Sequence, residues 1–372
     1  MKVFFINTNP AWGGGEKWHL DTAIAMKGYG FDVVLLSSQN NELYKRAVSA
    51  GLRAIPVTIG NLSFLNPLRI RSLKRIFKSE QPDIVILNLS SDVKAAGIAA
   101  KSAGVKNIIY RRGNAKPVKN SFSNRILFKK IITGIIANSE ETKRSILKQN
   151  PKLFPSDRIK VLYNGIDLKN YDSLASVPIY KNRDSRILLG SAGRLSIEKG
   201  HHMLIEMSLL LRKRGIPFIL LIAGEGPEKN QLMEKCRKSG LEDEILFTGF
   251  IENIKSFMHS IDIFILPSLW EGFGYVSIEA MASSKPVLAF HTGSNPEIIE
   301  DKKTGFLVTC YDIEELTDKL SVLINDHELR KTFGNEGRKR VEMFFNSEIT
   351  KKTTKQYLES LVKETVLKSP VI

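Results

Sequence analysis

Two glutamates, Glu271 and Glu279, stand with seven residues between them in the segment Leu266-Pro267-Ser268-Leu269-Trp270-Glu271-Gly272-Phe273-Gly274-Tyr275-Val276-Ser277-Ile278-Glu279. An apolar strand ends at Pro267, a Gly-containing loop follows, and a helix is expected from about Tyr275. A carboxylate accepts two hydrogen bonds at once, so each glutamate suits a pair of vicinal hydroxyls. The Gly272–Val276 amides, at a helix amino terminus, suit a phosphate or a sugar oxygen. The plainer reading is two solvated glutamates on an ordinary helix. Arg194 and Lys199, in Gly193-Arg194-Leu195-Ser196-Ile197-Glu198-Lys199-Gly200, follow an earlier strand and precede another helix. Two cations at the positive end of a helix work against it. A phosphate between them would account for the placement, gripped by the arginine fork and the lysine point charge; the alternative is a pair of solvated surface cations.

Other loops after strands carry weaker signals. Gly13-Gly14-Gly15 precedes a helix near Glu16, where backbone N–H groups could approach an anion. It meets neither the dinucleotide fingerprint nor the nucleoside-triphosphate loop, and a tight turn explains it equally well. Gly224 and Gly226 either bring backbone close to a ligand or form a turn. Ser294 and Asn295, in another strand–turn–helix junction, are consistent with contact to a phosphate or sugar.

These loops need a scaffold, and the apolar patterning supplies one. Short apolar runs at Val3–Asn7, Val33–Ser37, Ala54–Ile59, Asp83–Leu89, Asn107–Tyr110, Gly134–Asn138 and Ile159–Leu162 alternate with helix-length stretches. The pattern restarts with Arg186–Gly193, Phe218–Gly224, Ile245–Gly249, Ile263–Pro267, Val287–Ala289 and Gly305–Val308. Near-continuous apolar strands joined through helices imply parallel sheets covered on both faces, hence an α/β chain of two doubly wound domains. The expected division is residues 1–175, 186–346, and a terminal helix over 347–372, with the boundary in Asp172–Asp184. Open parallel sheets bind ligands beyond the carboxyl ends of their strands, so two such domains would face one another across a cleft.

Charge distinguishes the halves. The chain has 372 residues and a formal charge of +16. The first 175 residues hold 28 basic and 12 acidic side chains and so carry all of it. That points to an acidic substrate, an anionic membrane surface or a nucleic acid at the first domain, with solubility as the plain alternative. The stretches Leu65–Lys78 and Lys119–Ile132 are basic and amphipathic; such helices lie on anionic bilayers, or pack on their own sheet. Two cysteines make neither a disulfide framework nor a four-ligand zinc site. Asp-x-Asp does not occur and His201-His202 are adjacent, so no metal site is expected. The amino terminus reads as a strand, not an export signal, and no apolar run reaches the length of a spanning helix. A cytoplasmic protein with at most peripheral contact to the inner face of the plasma membrane is expected.

Taken together, the Gly-rich first loop, Gly-Arg-Leu-x-x-x-Lys-Gly, Gly-Glu-Gly, Glu-x₇-Glu and Gly-x-x-Pro-Glu resemble the retaining glycosyltransferases of family 4, enzymes of the GT-B fold. The resemblance spans most of the chain. It implies an acceptor-binding first domain, a second domain holding a nucleotide-diphosphate sugar, and a terminal helix returning to the first domain. Carried over by position, Arg194 and Lys199 hold the diphosphate, and Glu271 binds the donor sugar near the reacting carbon. Glu279 binds the ribose, and the Phe273, Gly274, Tyr275 and Val276 backbone meets sugar and phosphate oxygens. Gly14 and Gly15 pack over the diphosphate, while Phe250 and Ile251 meet the base. No cofactor or metal is implied beyond the donor itself. The partners implied are a nucleotide sugar and a glycan or lipid-linked acceptor of surface polysaccharide or lipopolysaccharide synthesis, with an anionic membrane surface as a further candidate.

One position departs from the family. Many members place a His after the strand corresponding to Asn107–Tyr110, where this chain has Arg111 and Arg112. These either meet an anionic sugar or acceptor phosphate or are solvated. Three rival readings fit the residues less well than a transferase does. A GT-B epimerase would lack the basic acceptor face, a nucleic-acid-binding protein would show a recognition signature that is missing here, and a dehydrogenase would carry the dinucleotide fingerprint.

Overall fold

A computed structural model describes residues 1–181 and 186–367. The described residues divide into two compact units, residues 1–164 with 350–367, and residues 165–181 with 186–349. In the first, β1 (Lys2–Ile6), β2 (Asp32–Ser37), β3 (Arg53–Pro56), β4 (Ile84–Leu87), β5 (Asn107–Arg112), β6 (Gly134–Ala137) and β7 (Ile159–Val161) form one parallel sheet in the order β3-β2-β1-β4-β5-β6-β7. In the second, β8 (Ile187–Ala192), β9 (Phe218–Ala223), β10 (Ile245–Gly249), β11 (Ile263–Leu266), β12 (Val287–Phe290) and β13 (Gly305–Val308) run in the order β10-β9-β8-β11-β12-β13.

The most apolar runs become central strands because both faces of each sheet are covered. On β1, Phe4 and Ile6 enter the core on one face with Leu73, Phe77 and Leu127. Val3 and Phe5 enter the other with Trp18, Met26 and Leu358. Strand residues alternate faces, so burial on both sides demands unbroken hydrophobicity. Leu358 lies in the helix Ser347–Leu367, whose Tyr357, Leu361 and Val362 also pack on that second face. The helix Ser347–Leu367 therefore contributes to the core of the first unit.

The division falls at Asn164/Gly165, some ten residues before the expected residue 175. The helix Leu168–Ser173 is the reason. The Tyr171 hydroxyl donates to the Glu279 carbonyl at 3.1 Å and lies 2.7 Å from Ser283 Oγ, while Arg338 grips Asp172 with bonds of 2.8 and 2.7 Å. These bonds tie the segment to the second unit. Of the expected boundary Asp172–Asp184, Asn182–Asp184 lie outside the described residues, as do residues 368–372 of the expected terminal segment.

In each sheet the chain reverses its direction of winding once, between β1 and β4 and between β8 and β11. Loops diverge at such a point and leave a crevice at the carboxyl ends of the strands.

Candidate active site

In the second unit, the loop after β8 carries Arg194 and Lys199 and the loop after β11 carries Glu271. Lys199 Nζ donates to Glu271 Oε2 at 2.5 Å, so the pair bridges the switch point. The two side chains are 23% and 11% exposed, enough to be reached from the crevice and too little to be freely solvated. Arg194 is exposed, and among the described residues its guanidinium enters no ion pair. His201 opens the following helix and is buried; burial first, then the Lys199 charge, hold its pKa down to about 4, so the ring stays neutral beside the cations.

The loops are held by backbone on backbone. A Cβ on Gly224 would overlap Gly193, and one on Gly226 would overlap Leu195. Leu195 N donates to the Glu225 carbonyl at 3.0 Å and Gly224 N to the Gly249 carbonyl at 2.7 Å. The Gly-Glu-Gly and Gly-Arg-Leu segments thus fit each other, which by itself explains their glycines. Gly293 does the same for Glu271: its φ is +56°, a Cβ there would overlap the Glu271 backbone, and Ser294 N donates to the Glu271 carbonyl at 3.0 Å.

Glu279 sits half-buried on the helix Tyr275–Ala282, whose first turn no side-chain oxygen caps. Phe273 turns its ring inward against Tyr275 and Phe345, at centroid distances of 5.5 and 5.9 Å. The Phe273–Val276 segment therefore opens the helix with its amino end near the carboxyl end of β11, where the positive end of the helix favours an anion. Beside it, Arg194, Gly224, Phe250, Ile251 and Val276 line a largely apolar depression of about 310 Å³. Glu225, which the sequence did not single out, lies on the same wall and pairs with Lys229 at 2.7 Å.

Ser294 and Asn295 require a correction. Both are fully buried, and Asn295 Nδ2 donates to the Phe290 carbonyl at 3.0 Å. They hold the end of β12 and the Glu271 loop and present no surface for a sugar or phosphate.

The first unit has its own polar crevice of about 400 Å³, walled by Asn9, Gly15, Glu16, Asn88, Ser90, Arg111 and Arg112. Gly14 and Gly15 start the helix Gly14–Gly28. Glu16 is buried and accepts from Asn7 and Asn9 at 3.0 and 2.9 Å, folding the glycine loop back on β1. Thr8 Oγ1 donates to Asp92 Oδ1 at 2.5 Å, joining the loops after β1 and β4 across that sheet's switch point. Arg111 is 3% exposed, bonds Asn164 at 3.2 Å and stacks over Trp18 at 5.0 Å, so it is not a solvated cation. Arg112, half-buried, reaches the Tyr110 hydroxyl and the Lys116 carbonyl. Asn9, Glu16, Asn88 and Ser90 were missed by sequence reasoning; their position just beyond the carboxyl ends of β1 and β4 is the signal that could have found them.

Beneath this crevice, His19 is wholly buried with Nδ1 3.1 Å from the Gly15 carbonyl. Burial, helped by the Arg111 charge, holds its pKa down to about 3. The unfolded ring binds a proton that the folded one refuses. Its contribution to stability is therefore complete above about pH 6.5 and is lost as pH falls toward 3. Burial pushes Asp92 the other way, from 3.8 up to about 6, so its contribution is lost as pH rises through that window. His19→Gln is expected to remove the first dependence and leave the second. In urea denaturation, the variant should gain on the wild type as pH falls below 6.5, by up to about 1.4 kcal/mol per pH unit; parallel pH profiles would contradict this.

Residues 12–170 match the model of Glycosyltransferase Family 4 and residues 175–340 that of Glycosyl transferases group 1. The capsular polysaccharide biosynthesis glycosyltransferase CapM of Staphylococcus aureus is 28% identical over 351 residues, 90% of this chain and 91% of that one. N-acetylgalactosamine-N,N'-diacetylbacillosaminyl-diphospho-undecaprenol 4-alpha-N-acetylgalactosaminyltransferase of Campylobacter jejuni is 30% identical over 253 residues, 68% of this chain and 67% of that one. Among solved structures, Anabaena HepE in complex with UDP and glucose superposes with a TM-score of 0.80 at 22% identity, over 97% of this chain and all of that one.

Proposed function

The chain belongs to glycosyltransferase family 4, with the GT-B fold, and on that premise we propose that it moves a sugar from a nucleotide-diphosphate donor to a glycan or lipid-linked acceptor, with retention and without a metal. The observation that carries this reading is the Lys199–Glu271 pair at the switch point of the second sheet, between exposed Arg194 and the uncapped helix that bears Glu279.

Transfer breaks the bond from the anomeric carbon to the diphosphate and forms one to the acceptor hydroxyl oxygen. The hydroxyl proton leaves with the diphosphate. Positive charge grows on the sugar and negative charge on the leaving group. Lys199, Arg194 and the first turn of the helix Tyr275–Ala282 would stabilise the diphosphate, the electrostatic work of a preorganised site. Lysine has three N–H donors, so the bond to Glu271 leaves others for phosphate oxygens. Glu271 would bind a sugar hydroxyl, Glu279 the ribose, and Phe250 and Ile251 the base against the apolar depression. On the family resemblance, Gly14 and Gly15 would serve the donor, and Arg111 and Arg112 the acceptor. Retention rests on the family resemblance, with attack on the face that the diphosphate leaves.

The acceptor class draws on relatives named for capsular polysaccharide and for a diphospho-undecaprenol glycan. UDP is the first donor nucleotide to test, as it is bound by the HepE structure. Such donors place the reaction in the cytoplasm. A thermal-shift screen of the purified chain against UDP, GDP, ADP and CMP, in EDTA, tests the reading. At 100 times its dissociation constant the cognate diphosphate should add about 2.7 kcal/mol of stability, and Glu279→Ala and Arg194→Ala should remove that gain. A cognate shift that appears only with divalent metal would overturn the metal-free mechanism. A shift that both variants retain in full would overturn the site.

A further inference from the structure

The chain has three tryptophans. Trp18 is buried in the first core and Trp270 lies in the loop that bears Glu271. Neither setting accounts for Trp12. It stands at the tip of the loop after β1, 37% exposed, within the exposed run 10–14. An indole left there forgoes the large burial that such a side chain gains in a core or an interface.

The surroundings are nonetheless built to hold it. Buried Asn41 donates from Nδ2 to the Thr8 and Asn9 carbonyls at 3.2 and 2.7 Å, fastening the loop to the helix Glu42–Ser49. On that helix the Arg46 guanidinium carbon lies 4.4 Å from the Trp12 ring centroid, and Arg46 Nε donates to Glu42 Oε1 at 2.7 Å. The guanidinium covers one face of the indole and fixes its orientation, while Glu42 holds the guanidinium. Among the described residues no second ring or cation stacks on Trp12, so its exposure leaves aromatic surface open to a ligand.

Asn9 and Gly15, three residues before Trp12 and three after it, both wall the polar crevice that also holds Asn88, Ser90 and Arg112. One loop therefore carries a flat apolar plate and one wall of a polar pocket. A pyranose ring has the matching two characters. Its C–H hydrogens, slightly positive, meet the negative face of an aromatic ring, and its hydroxyls exchange hydrogen bonds with amides and hydroxyls. A phosphate or an alkyl chain has only one of the two. We propose that Trp12 is the platform on which a sugar of the acceptor stacks, with Arg46 as its positioning residue, so that the chain reads a glycan end and not a lipid phosphate alone. The assignment to the acceptor rests on the transferase reading; the stacking itself does not.

The test is saturation-transfer NMR on the full chain with the methyl glycosides of glucose, galactose, mannose, N-acetylglucosamine and N-acetylgalactosamine, each in both anomeric forms. The wild type should bind at least one of them, with the strongest transfer to the protons of one ring face. Trp12→Ala and Trp12→Leu should each weaken that binding about tenfold, and Trp12→Phe about threefold or less, because an aromatic face and not apolarity alone carries it. Arg46→Gln should weaken it less than Trp12→Ala does, since the ring remains but is no longer held. Both positions are exposed, so melting temperatures should stay at the wild-type value. No glycoside bound by the wild type, or Trp12→Leu binding as tightly as the wild type, would overturn the proposal. So would loss of the diphosphate thermal shift in Trp12→Ala, which would make the indole a donor contact. A diphosphate shift without glycoside binding sinks the platform alone, whereas glycoside binding through Trp12 without any diphosphate shift sinks the transferase reading alone.

Discussion

Lys199→Ala is expected to lower kcat by about 10²–10³-fold, the cost of removing one preorganised donor from a developing oxyanion. The structure adds a second penalty. Glu271 lies 2.5 Å from the ammonium and is mostly buried, so the variant leaves a carboxylate without its cation beside the proposed position of the diphosphate. Lys199→Arg keeps the charge and loses the compact, rotatable ammonium, and should recover little. Glu271→Gln removes the same ion pair from the other side. If the two act as a unit, the double variant should lose much less than the product of the single losses. Steady-state kinetics with the cognate donor decide it. A Lys199→Ala enzyme within threefold of the wild-type kcat, or strictly multiplicative losses, would show that the pair does not serve the reaction.

The second large effect is conformational. Gly293→Ala should cost about 2–4 kcal/mol, and activity should fall even at temperatures where the variant is folded. Gly215 offers the comparison: its φ of +69° is similar, and a Cβ there would meet nothing within 4 Å. Gly215→Ala bears only the left-handed backbone penalty, about 1–2 kcal/mol. The excess at Gly293 measures its packing against the Glu271 backbone. Equal losses of melting temperature in the two variants, with full activity in both, would remove Gly293 from the support of the site.

The scaffold was legible because its physics is local. Every apolar run read from the sequence became a strand; the central ones, covered on both faces, have no polar side to blur the signal. The switch-point loops were legible for a related reason: their glycines and charges interrupt those runs. The side-chain surroundings were not. Ser294 and Asn295 have the chemistry of ligand contacts, and only the packing of β12 against the Glu271 loop turns them inward. Arg111 was readable in part. On β5 it follows a run buried on both faces, which points to burial; its contacts with Trp18 and Asn164 join residues far apart in the chain. The boundary at residue 165 was hidden because it depends on Tyr171 and Asp172 finding partners more than a hundred residues later.

The return of the terminal helix has a consequence for synthesis. Leu358 and its neighbours fill the same core as Val3 and Phe5, yet they leave the ribosome after the whole of the second unit. Until then part of that face of the first unit's sheet stays uncovered, while the second is made from one continuous stretch. The half made first is therefore the half finished last. A released chain ending at residue 349 should carry a protease-resistant second unit and a first unit still open to attack.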